Sequence, residues 1–149
     1  MMPRALRLEF DRVSAGYDGR PALNRVSFRA HPGEVVALTG PNGSGKTTLL
    51  RAALGLLPLE GGRISIGDRP AQGLSIRQRA RWFGWMPQSE PLRENIRVRQ
   101  YVLYGRNPWI GPWESEGPAD HSAVDRALAA VDLSVAPDRG ILELSGGER

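Results

Sequence analysis

Apolar and polar residues alternate over 6–13, where Leu6, Leu8 and Phe10 share one side, and residues 22–28 bring Leu23, Val26 and Phe28. With Gly16, Asp18 and Gly19 between them, this pattern predicts two strands joined by a turn. After His31, Pro32 and Gly33 comes Glu34-Val35-Val36-Ala37-Leu38-Thr39, a nearly continuous apolar run of the kind buried on both faces of a parallel sheet, and the best candidate for a core strand. Residues 46–57 carry Leu49, Leu50, Ala53, Leu54 and Leu57 at helical spacing, and Pro58 ends the pattern. Ile64 and Ile66 then alternate in a short strand closing on Gly67-Asp68. A helix over 75–81 capped by Ser75 and a further strand over 82–86 follow. Beyond that point helical patterns over 98–104 and 119–131 flank a Gly/Pro/Trp-rich linker, 105–117, which predicts a small helical subdomain. Its aromatics Tyr101, Tyr104, Trp109 and Trp113 are expected to pack within it.

A length of 149 residues is about one domain's worth, and 40% hydrophobic with 24% charged residues is a globular composition. The absence of cysteine excludes a disulfide scaffold, a thiolate zinc site and a cysteine nucleophile. No apolar run reaches the roughly 18 residues that span a bilayer, and the opening residues carry no secretory pattern, so cytoplasmic residence is expected. The net charge of +4 invites a nucleic-acid reading, but the arginines are scattered among acids. The densest group, Arg77, Arg79 and Arg81, reads as a solvated helix face, and no nucleic-acid partner is expected. One cation stands apart: Lys46 is the only lysine in the chain.

That lysine closes Gly40-Pro41-Asn42-Gly43-Ser44-Gly45-Lys46-Thr47, which satisfies the phosphate-loop pattern at every specified position, between a predicted strand and a predicted helix. Glycines let successive backbone N–H groups converge on a phosphate oxygen, and a helix beginning near Lys46 adds its positive end. The expected anion cradle runs from Gly40 to Thr48. Lys46 would reach the outer phosphates and act in catalysis, while the Thr47 hydroxyl is a hard oxygen ligand suited to Mg²⁺. Tyr17, in the turn after the first strand, offers a flat ring on which a purine base can stack.

At the other end of the chain, Leu144-Ser145-Gly146-Gly147-Glu148 matches a second motif. With a phosphate loop upstream and Met86-Pro87-Gln88 between, the chain resembles the ATP-binding-cassette (ABC) ATPases over essentially its whole length. The resemblance implies an α/β P-loop NTPase fold of ABC type, with an antiparallel β subdomain and a helical subdomain. Residues 1–88 would form the nucleotide-binding core and β subdomain, 89–143 the helical subdomain and 144–149 the signature loop. Tyr17 falls where the family stacks adenine. Gln88 looks like the glutamine that contacts Mg²⁺ and the attacking water. Ser145, Gly146, Gly147 and Glu148 look like the signature loop, which faces a partner's ATP in a head-to-tail pair of cassettes. The implied ligands are ATP and Mg²⁺. The implied partners are a second ATPase subunit and transmembrane permease subunits, which would hold the protein on the inner face of the membrane. Gly105-Arg106-Asn107-Pro108 is most similar to importers of iron chelates, haem or cobalamin, although Trp109 stands where a histidine is frequent in that group.

The family continues past a signature glutamate into a strand ending in an Asp-Glu pair. This sequence stops at Arg149, so it is expected to be truncated before that Walker B strand and, as it stands, inactive in ATP turnover. An uncovered edge and apolar surface over 35–38 are expected with it. Two other readings compete: a DNA-repair or chromosome ATPase, and a non-catalytic ATP-binding module. The first inserts coiled coils or zinc modules before the signature, whereas only 55 residues, without heptads or cysteines, separate Gln88 from Leu144.

Overall fold

The computed structural model describes residues 6–87, 94–133, 137–145 and 147. The chain forms two compact units, 1–84 and 85–149.

In the first unit the alternating segments form β1 (Leu8–Tyr17) and β2 (Arg20–Ala30), an antiparallel hairpin in which Tyr17 faces Arg20. Asp18 and Gly19 make the turn, both at positive φ (48° and 75°), which is the geometry a two-residue hairpin needs to follow strand twist. β3 (Gly61–Ile66) pairs with the other edge of β1, and the short β4 (Arg69–Pro70) with β3, giving the order β2-β1-β3-β4. β1 is irregular at Arg12, where φ is 49°. The pairing register shifts there, and the Ser27 hydroxyl accepts the Arg12 N–H at 2.8 Å. Gly62 is required opposite: a Cβ there would stand 2.2 Å from the Arg12 carbonyl oxygen.

On this sheet lies α1 (Lys46–Leu54). Its Leu49, Ala52 and Ala53, with Leu57 beyond its end, share one core with Phe10, Val13, Ala15, Leu23, Ile64, Ile66 and Ala71. The helix ends three residues before the predicted stop, because Gly55 takes a left-handed conformation (φ 76°) and its N–H returns to the last-turn carbonyls. α2 (Ile76–Arg79) is a single turn closed by a capping box in which Ser75 and Gln78 exchange side-chain to backbone bonds.

Three expectations fail over residues 34–86. Residues 34–39 are not a strand, and Val35 is 96% exposed, with Val36 and Leu38 also open to water. A parallel core strand exists only where neighbours take up its N–H and C=O groups on both sides, and the described sheet is antiparallel and closed on α1 without it. The apolar surface expected over 35–38 is therefore present, but as irregular chain and not as a strand edge. Residues 82–86 likewise form no strand, and Met86 is 85% exposed. Arg79 is not on a solvated face: it is 9% exposed and caps the end of α1.

The second unit contains α3 (Val98–Tyr104), α4 (Pro118–Ala130) and one 3₁₀ turn (Ile141–Glu143). Val98, Leu103, Val124, Leu128, Ile141 and Leu144 form its core. α4 opens on Pro118, whose fixed φ suits a first helical position. Asp120 accepts the Gly117 N–H at 3.1 Å and pairs with Arg106 Nε at 2.8 Å. Arg106 also lies 4.4 Å over the Trp109 ring, so one guanidinium ties the linker to the start of α4. Trp113, expected to pack, is 99% exposed at the end of a turn that Glu114 closes on the Gly111 N–H.

Candidate phosphate-binding site

The loop over 40–45 is shaped by three glycines at positive φ: Gly40 (147°), Gly43 (82°) and Gly45 (89°). Gly45 is also needed sterically, since a Cβ would stand 2.7 Å from the Ala22 carbonyl oxygen and 3.0 Å from Leu23. At Gly40 a Cβ would approach the Ser44 hydroxyl to 2.9 Å. Pro41 and Ser44 close the turn between them, the Ser44 N–H donating to the Pro41 carbonyl at 3.3 Å. Gly45 is the N-cap of α1 and offers no side chain, so no side-chain bond caps this helix and its first turn carries no acidic residue. The first intrahelical bond is that of the Leu49 N–H to the Gly45 carbonyl, 2.8 Å. The first-turn amides and the positive end of the helix are thus left to a ligand of negative charge.

Lys46 extends back over the loop. Its ammonium donates to the carbonyls of Gly40 (2.7 Å) and Pro41 (2.8 Å) and to the Ser44 hydroxyl (3.3 Å). This places the only cation of the loop against the Gly40 and Pro41 carbonyls. Thr47 is exposed on the first turn, whereas Thr48 is buried beneath it. Asn42 and Gly43 are exposed at the loop's outer side. The donors suit phosphate: backbone amides, a helix end, one ammonium. For Mg²⁺ the Thr47 hydroxyl is a hard oxygen ligand, and no cluster of three His, Asp or Glu is found among the described residues.

Tyr17, at the end of β1, is half-exposed and meets α1 through its hydroxyl, which accepts a 3.4 Å hydrogen bond from Arg51 Nη1. The Arg51 guanidinium, and after it the Thr48 hydroxyl, hold the phenol below its ordinary pKa. The structure therefore joins Tyr17 to the helix that carries the loop. In the second unit Leu144 is buried, while Ser145 and Gly147 are exposed beside it. Gln88, Gly146 and Glu148 lie outside the described residues.

Two residues near these motifs have roles that the sequence did not disclose. Arg79 binds the last carbonyls of α1. Asn95 holds the approach to Leu144: its side chain accepts the Leu142 N–H at 3.0 Å and donates to Glu143 at 3.2 Å. Gly140 makes room for it, because a Cβ there would stand 2.2 Å from the Asn95 amide oxygen. Neither residue belongs to a local pattern, so their roles could be found only by knowing which distant segments meet.

Comparison with known proteins bears on what such a loop serves. The family model described as ABC transporter matches residues 23–149. The chain is 34% identical over 140 residues to the "Probable siderophore transport system ATP-binding protein YusV" of Bacillus subtilis, covering 92% of this chain and 50% of that protein. It is 37% identical over 131 residues to the hemin import ATP-binding protein HmuV of Streptomyces coelicolor, covering 88% and 46%. The chain thus spans about half the length of these curated relatives. Among solved structures, a nucleotide-free ATP-binding cassette from an ABC transporter superposes with a TM-score of 0.79 at 26% identity, over 96% of this chain and 60% of that one.

Proposed function

This chain belongs to the ABC transporter family, and from that premise we propose that it is part of an ATP-binding subunit of an importer, whose phosphate loop binds MgATP to drive substrate entry. The observation that carries this is the loop itself. Glycines at 40, 43 and 45 hold conformations that side chains resist, and they open onto an uncapped helix start with one lysine over it. In this reading the amides of 43–48 and the Lys46 ammonium bind the β- and γ-phosphates, where a phosphate oxygen replaces the loop carbonyls that Lys46 now contacts. Thr47, exposed on the first turn of α1, would hold Mg²⁺, which when bound would supply positive charge to the triphosphate. The Tyr17 ring supports the base.

Ser145 and Gly147 would meet the triphosphate of a second, head-to-tail cassette, and Gln88 would act in hydrolysis by the whole protein. A permease partner and residence on the inner membrane face go with that role. The cargo favoured is an iron chelate or haem, because the relatives above are siderophore and hemin import proteins and Gly105 to Pro108 carries the importer-like sequence. The domain boundaries proposed are those at 88 and 144.

ATP titration by calorimetry tests the reading. The expected result is saturable 1:1 binding that Lys46→Ala weakens by about 1.5–3 kcal/mol, the usual worth of a hydrogen bond to a charged group. Equal binding by the two proteins would reject it.

A further inference from the structure

Among the described residues only Thr48 and Arg79 are polar and buried, and Arg79 has no place in the phosphate site. It stands last in α2, and its guanidinium reaches the far end of α1. Nη1 donates to the carbonyls of Ala53 (2.9 Å) and Ala52 (3.4 Å), and Nε to that of Leu74 (3.4 Å). Burial lowers its pKa, as desolvation of a cation must. The carbonyls it meets are the negative end of the helix, where a cation is most favourably placed. Gly55 completes the socket, because a Cβ there would lie 2.7 Å from Arg79 Nε, and its φ of 76° resists a side chain as well. The planar fork satisfies three carbonyls from two segments together with its donors held in a fixed geometry, where an ammonium on a flexible stem is a single point charge.

At its other end α1 rests on Ala22 and Leu23 through Gly45. A nine-residue helix is a stiff rod of about 13 Å, so fixing its last carbonyls fixes where its first amides stand. We propose that Arg79 is a positioning residue for the phosphate cradle: by clamping the C-terminal carbonyls of α1 to the Leu74 segment, it sets the axial position of the amides and of Lys46 at the opposite end. This rests on the nucleotide reading of the loop and adds to it a residue the loop never touches.

The test compares the chain with Arg79→Lys and Arg79→Leu variants, titrating ATP and inorganic triphosphate at a temperature where circular dichroism finds each protein folded. When the folded fraction is close to one, lost stability alone leaves Kd unchanged. Positioning predicts that Arg79→Leu raises Kd for both ligands about tenfold or more and Arg79→Lys by less, as expected when phosphate donors are displaced by a fraction of an ångström. It predicts also that hydrogen exchange of the Leu49 amide, bonded to Gly45 at the far end of α1, accelerates in both variants. An unchanged Kd in a folded variant, or acceleration confined to 52–55, overturns the proposal. Where Arg79→Leu does not fold, Arg79→Lys decides. Should the unsubstituted chain bind neither ligand, the nucleotide reading fails, and exchange at Leu49 still decides whether Arg79 holds the far end of the helix.

Discussion

Gly45 has two separate reasons to be glycine, a φ of 89° and the Ala22 carbonyl where its Cβ would be. Alanine held in that left-handed conformation costs about 1–2 kcal/mol by itself, and its Cβ would push β2 away from the loop. Gly45→Ala is therefore expected to weaken triphosphate binding more than Gly43→Ala, which meets open space at a similar φ, and parallel titrations of the two check the order. Gly55→Ala should lower the unfolding midpoint, by strain at φ 76° and by displacing Arg79 from its carbonyls; thermal unfolding measures it. These residues differ in how readable they are. Gly45 is legible in sequence because the spacing of glycines, lysine and threonine is a local code for a loop before a helix. Gly55 and Arg79 are separated by 23 intervening residues and share no pattern. Arg79 sits in a run of arginines that looks solvated until the end of α1 is seen to lie over it.

Elements were recoverable where their partners are close in sequence. The β1–β2 hairpin announces itself by alternation and by Asp18-Gly19, and α1, α3 and α4 by apolar spacing. The strand expected over 34–39 was not, because an apolar run specifies burial only when neighbouring strands exist to bury it, and among the described residues none pairs with it. Over 82–86 two tryptophans and a phenylalanine raise β propensity without any ladder to receive them, and propensity alone does not make a strand. In the helical unit the start of α4 depends on charge. The Gly117 N–H, and after it Arg106, hold the Asp120 carboxyl below the ordinary aspartate range. Such a depressed group stabilises the fold fully above its unfolded pKa of about 3.9 and loses that contribution as pH falls through its lower folded value. Asp120→Asn should lower the unfolding midpoint of this unit at pH 7, and the gap between the two proteins should close on acidification below pH 4. A gap independent of pH would mean that the carboxylate charge plays no part there.

Each unit has its own core, and in the first the apolar residues over 35–38 face water. Such a patch favours self-association. Val35→Lys is expected to raise the soluble, monomeric fraction in sedimentation analysis without lowering the unfolding midpoint, since no core contact is lost. The change of pattern along the sequence suggests a helical part after residue 88, and the family was readable from the phosphate loop together with the segment from Leu144. The bonds that hold α1 to its neighbours were not, because they join residues far apart in the chain. Every functional statement depends on the main-chain amides at the start of that helix acting as the phosphate receptor. The most direct test is to add inorganic triphosphate to ¹⁵N-labelled protein and follow the backbone amides by NMR. Large saturable shifts centred on Gly43, Gly45, Lys46 and Thr47 are the predicted result, and shifts absent there or confined to scattered arginine-rich surface would contradict the account.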